Sequence, residues 1–172
     1  MIFGGKAGRG RRIEFDRALR RSLRASIEGD PARAQTWLER AVELDSSDVD
    51  VYQALARLYR DRGEVGRAIR MHQNLLLRDD LERGERARVK LELARDYEAG
   101  GFLERALATL EELLVERPRD PEVVEEMALA LLSRGDRARS ATLTARLRRL
   151  DPERTGLVSR FVARFGAQEE GS

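Results

Sequence analysis

The chain has 172 residues, of which 37% are charged, 5% are aromatic and none is cysteine. That length suffices for one domain with a continuous core, and the missing cysteines exclude disulfides, thiolate nucleophiles and cysteine-bound metals while fitting a reducing compartment. The high charged and low aromatic content suits a helical array coated by long charged side chains better than a β-sandwich or an α/β enzyme, and the net charge of +2 is modest for 33 basic and 31 acidic residues. No stretch approaches the roughly 20 apolar residues of a membrane span, and the opening MIFGGKAGRGRR lacks the apolar core of a secretory signal. A soluble cytoplasmic protein is the expectation.

Residues 1–12 are rich in Gly and Arg and read as a disordered basic arm, or else as a tether to acidic lipid, nucleic acid or an acidic partner. Their Gly-Gly-Lys-Ala is no phosphate loop, because no Ser or Thr follows Lys6. A first helix pair is predicted over 13–28 and 31–44, with Asp30 as cap and Pro31 at the first helical position. Trp37 reads as packing. The next helix repeats its apolar residues at Val51, Tyr52, Leu55, Ala56, Leu58 and Tyr59, stops at Asp61-Arg62-Gly63, and is followed by the same spacing at Val65, Ala68, Ile69, His72, Leu75 and Leu76. The lone histidine, His72, lies on that apolar face and reads as a core residue; it has no second His or Cys with which to hold a metal, and no evident acid–base partner. LERGER, residues 81–86, lengthens the next connection or adds a first turn to the helix predicted over 86–99. Helices follow over 103–116, 121–133 and 137–149. A ninth, opening at Asp151-Pro152 and running to about 165, carries Leu157, Val158, Phe161, Val162 and Phe165 on one stripe, for capping or dimerisation. Residues 166–172 read as a disordered tail.

The turn glycines Gly29, Gly63, Gly101 and Gly135 are separated by 34 residues, a longer step, and 34 again. A small residue stands five positions after each, at Ala34, Ala68, Ala106 and Ser140. This pattern resembles the tetratricopeptide repeat (TPR) family. Its hallmarks are met best by Tyr52, Leu55, Ala56, Tyr59, Gly63 and Ala68, and by Leu93, Ala94, Tyr97, Gly101, Ala106 and Pro118; in the first and fourth units Ala18 and Val124 replace the usual aromatic. The resemblance implies an all-α, right-handed superhelix (a solenoid) of four TPR helix pairs with a C-terminal capping helix. The TPR domain would span 13–165, with repeats at about 15–48, 49–82, 87–120 and 121–154 and the capping helix at 152–165.

In that family the first helix of each pair lines a concave groove. Carried onto this chain, the groove-facing positions are Leu19, Leu23, Gln53, Arg57, Arg60, Arg88, Leu91, Arg95, Leu129 and Leu132, basic in the middle and apolar at both ends. The implied function is a noncatalytic scaffold that binds an acidic or amphipathic protein segment there. The Lys/Asn carboxylate clamp of one subgroup of the family is not carried over, since Gln53 and Arg57 stand at those places. Residues 63–106 further resemble the repeats of the lipopolysaccharide assembly protein B family, in Gly63, Glu64, Val65, Arg67 to Arg70, His72 to Leu76, Leu91 to Leu93, Asp96 and Tyr97. That family is a membrane-anchored adaptor with a cysteine-bound metal module. This chain is expected to be an abbreviated relative without anchor or metal module, with a regulatory adaptor of envelope or lipopolysaccharide biosynthesis as the narrower alternative. A nucleic-acid or acidic-surface binder, acting through the basic arm and the groove arginines, is another alternative that the near-balanced charge disfavours. Neither an enzyme nor a cofactor nor a small-molecule substrate is expected, because no nucleophile with a base, metal cluster or phosphate turn is in place. A monomer or homodimer would suffice.

Overall fold

The structure is a computed structural model that describes residues 5–154. These residues form eight helices joined by turns, with no strand among them: α1 (Gly5–Ile27), α2 (Pro31–Leu44), α3 (Val49–Asp61), α4 (Val65–Leu76), α5 (Arg83–Ala99), α6 (Leu103–Glu116), α7 (Pro121–Arg134) and α8 (Arg137–Leu150). The predicted capping helix from residue 155 onward, with its apolar stripe, and the tail at 166–172 lie outside the described residues.

Local chemistry accounts for the ends of these helices. Asp30, Asp48, Asp120 and Asp136 each accept a backbone N–H from the first turn that follows, at 2.9 to 3.1 Å, which satisfies one of the donors a helix start leaves open. Asp48, rather than the neighbouring Ser47, is the cap of α3. At the other end Gly63 has φ +78°, a left-handed conformation that costs a Cβ-bearing residue about 1–2 kcal/mol. It lets the Glu64 N–H return to the Tyr59 carbonyl at 2.8 Å and close the helix.

The chain folds as two compact units, one up to Glu92 and one from Leu93. In the first, α1 packs on α2, α2 on α3 and α3 on α4. Its core gathers Phe15, Ala18, Leu38, Ala41, Val51, Leu55, Ala56, Tyr59 and Ala68. In the second, α7 packs on both α6 and α8, and Leu114, Leu143 and Leu150 close over buried Val124, Ala128 and Leu147. Ala34, Ala68, Ala106 and Ser140 are all buried, as small residues must be where paired helices approach. Ser140 meets the same need with a polar atom: its hydroxyl donates to the Ala128 carbonyl at 2.8 Å. His72 is fully buried.

The basic arm is not disordered throughout, since α1 begins at Gly5 and includes most of residues 1–12. Arg11 donates to the carbonyls of Leu44, at 2.6 Å, and Glu43, at 3.2 Å. Those carbonyls lie at the C-terminal end of α2, where the helix leaves acceptors unpaired and favours cations. Arg12 lies over the Phe15 ring and pairs with Asp16 at 3.4 Å. The inserted LERGER forms an added turn: α5 starts at Arg83, the Glu82 N–H is capped by Glu85, and Arg86 donates to the carbonyls of Leu76 and Arg78, both at 2.8 Å.

Candidate functional site

The first helix of each pair is expected to present a ligand surface, and the ten residues range from buried to exposed. In the first unit Gln53 is 3% exposed and Leu91 6% exposed. Both therefore belong to the interior, and half-buried Leu19 packs on the core cluster. They are corrected from groove contacts to packing residues. Leu23, by contrast, is 63% exposed, and Arg57 and Arg88 are exposed as well.

Arg57 and Arg60 of α3 do not stand as open cations. Both converge on Glu92 of α5, a buried carboxylate. Arg60 Nη2 sits 2.9 Å from Oε2, and Arg57 Nε sits 3.3 Å from Oε1. Arg60 Nη1 donates in addition to the Glu92 carbonyl at 3.3 Å. Burial of Glu92 without these two guanidinium groups would carry a large desolvation cost.

The second unit repeats the arrangement on its own. Arg95 of α5 donates through Nε to Glu126 at 2.8 Å and through Nη2 to Glu122 at 2.9 Å, both on α7. The pKa of Glu98, one turn along α5, is pushed up to about 7, first by burial and then by the charge of Glu126, with Arg95 pulling the other way. Leu129 and Leu132 are half-buried and pack against the second core cluster, so they too are packing residues first.

The predicted basic middle is thus largely neutralised by carboxylates the chain itself supplies. Sequence reasoning misses Glu92, Glu122 and Glu126 because it seeks counter-charges three or four residues away on the same helix. The available signal is longer: Glu92 follows Arg60 by 32 residues and Glu126 follows Arg95 by 31, close to one repeat.

Leu23 and Arg57 are brought together. They meet at an open cleft of about 290 Å³ between α1 and α3, which Ser26, Ala54, Leu58 and Asp61 also line. Leu58 and Ser26 are not among the predicted contacts. The cleft offers an aliphatic wall with the Arg57 guanidinium and the Asp61 carboxylate one turn apart on α3. Among the described residues no group of three His, Cys, Asp or Glu side chains could hold a metal ion, and no helix is long and apolar enough to cross a membrane.

No protein-family model matches the chain. Lipopolysaccharide assembly protein B of Escherichia coli strain K12 is 42% identical over 62 residues, which make up 36% of this chain and 16% of that protein. The protein of the same name from Haemophilus influenzae is 31% identical over 117 residues, 67% of this chain and 29% of that one. The match therefore spans less than a third of either relative. Among solved structures, a thermophilic TPR protein of Thermus thermophilus superposes with a TM-score of 0.65 at 21% identity, over 80% of this chain and 75% of that one. Pseudomonas aeruginosa pilF does so with a TM-score of 0.65 at 23% identity, over 83% and 64%. By fold the chain is a tetratricopeptide-repeat protein, and it is homologous in part to lipopolysaccharide assembly protein B.

Proposed function

We propose that the chain is a noncatalytic scaffold that takes a partner segment in the α1–α3 cleft. The supporting observation is the exposure of Leu23 beside Arg57 at a cleft wide enough for an aliphatic side chain. An apolar anchor of the partner would enter between Leu23 and Leu58. Arg57 and Arg95 are already paired, with Glu92 and with Glu122 and Glu126, so the aliphatic contact carries the recognition.

Affinity purification of the full chain from its native host, beside a Leu23→Asp variant, tests the reading. Leu23 is exposed and holds no ion pair in the core, so helicity by circular dichroism should be retained while specific partners are lost. A folded variant that recovers the same partners refutes it. A narrower role, as an adaptor in lipopolysaccharide biosynthesis, is favoured by the 62-residue match at 42% identity. Deletion of the chain in its host would then alter the lipopolysaccharide level on a stained gel, and an unchanged level would count against that role.

A further inference from the structure

Helix α1 has two contrasting faces. Phe15, Ala18, Ser22 and Ala25 are buried in the first unit. Positions 9, 13, 17, 20, 24 and 27 recur every three or four residues and so share the opposite face. Arg9, Ile13, Arg17, Arg20, Arg24 and Ile27 hold those positions, and all are exposed. Ile13 is 50% exposed and Ile27 79% exposed. The stripe runs along about 27 Å of helix.

Charge on this helix is strongly one-sided. α1 carries eight basic residues against two acidic ones, although the whole chain is nearly balanced. Both acids are engaged, Asp16 by Arg12 at 3.4 Å and Glu14 by Arg40 at 3.6 Å. Arg24 holds Glu28 at 2.7 Å. Among the described residues Arg9, Arg17 and Arg20 enter no ion pair. They differ in this from the arginines of α3 and α5 that meet Glu92, Glu122 and Glu126.

Three occupants can be compared on chemistry. A second copy of the same face would bring arginine against arginine. A single-stranded nucleic acid would use aromatic platforms for its bases, and this stripe has none. An anionic bilayer uses both components: phosphates for the guanidinium groups and the boundary between headgroups and acyl chains for the isoleucines. We propose that the outward face of α1 binds the surface of an anionic phospholipid membrane, with the helix lying in the interface plane. The residues involved are distinct from those chosen to test the cleft.

The test is co-sedimentation of the full chain with vesicles, at low and at physiological salt. Vesicles of phosphatidylcholine with phosphatidylglycerol should carry the protein down, those of phosphatidylcholine alone should not, and salt should weaken the binding. Each arginine removed should lower the partition about fivefold, so Arg17→Gln/Arg20→Gln should lower it about 25-fold. Ile13→Ser/Ile27→Ser keeps every charge and should still lower it at least about tenfold. Circular dichroism establishes that both variants remain folded. Failure to bind the mixed vesicles at low salt overturns the proposal. So does an isoleucine variant that binds like the parent, or retention on duplex DNA without any binding to vesicles.

Discussion

At the scale of single residues the carboxylates of the second unit carry opposite duties. Glu122 and Glu126 pair with Arg95, whereas the pKa of nearby Glu98 is raised to about 7, first by burial and then by the charge of Glu126. A carboxyl raised on folding binds its proton more tightly in the native state than in the unfolded one. Its contribution is therefore fully present below about pH 4.5 and is lost as pH rises through about 7. Glu98→Gln should raise the melting temperature at pH 8 relative to the parent, with the gain shrinking towards pH 4.5; a constant difference across that range would refute the assignment. Arg95→Glu should do the reverse of what a surface charge change does. It sets a fourth carboxylate beside Glu98, Glu122 and Glu126 and should cost about 2 kcal/mol or more in urea unfolding. A cost below about 0.5 kcal/mol would show that Arg95 is merely a solvated side chain.

Among the helices, what is legible in the sequence is what is local. Apolar spacing of three and four, an Asp before the starts of α2, α3, α7 and α8 and a Gly at the turn within each pair act within a few residues, and those signals place the helix pairs. The start of α1 is not legible, because Arg11 finds its acceptors on Leu44 and Glu43, more than 30 residues away. The groove fails for a related reason. A repeat pattern says which face of a helix a residue occupies, but not what the neighbouring helix places against it. Gln53 and Leu91 read as ligand surface and are buried instead. The small-residue positions depend only on the partner helix within each pair, which the repeat itself specifies, and all four are buried. Ala68 has no exposed surface, so Ala68→Leu must spread α3 and α4 or distort rotamers, at about 1–3 kcal/mol. An unchanged denaturation midpoint would contradict that packing.

For the molecule as a whole, a net charge of +2 suggests an even spread and hides a strong separation. The basic excess collects on α1, and the rest of the chain is acidic by comparison. Composition cannot report this, because it sums over positions that the fold keeps apart. The repeat architecture, by contrast, is legible from its period and agrees with solved structures at about one-fifth identity. Sequence similarity to lipopolysaccharide assembly protein B and structural similarity to TPR proteins thus report at different levels, one on a shared segment and the other on the fold.

The capture of Glu92 by Arg57 and Arg60 bears on how the first unit would select what it holds. A visiting acid must displace a resident one that is tethered and already dehydrated. Exchanging one such anion for another yields little net free energy, so negative charge makes a poor password. Discrimination passes to the aliphatic walls at Leu23 and Leu58, where nothing has to be evicted. Two peptides with the same acidic residues and different hydrocarbon side chains should be told apart more sharply than two that differ only in charge.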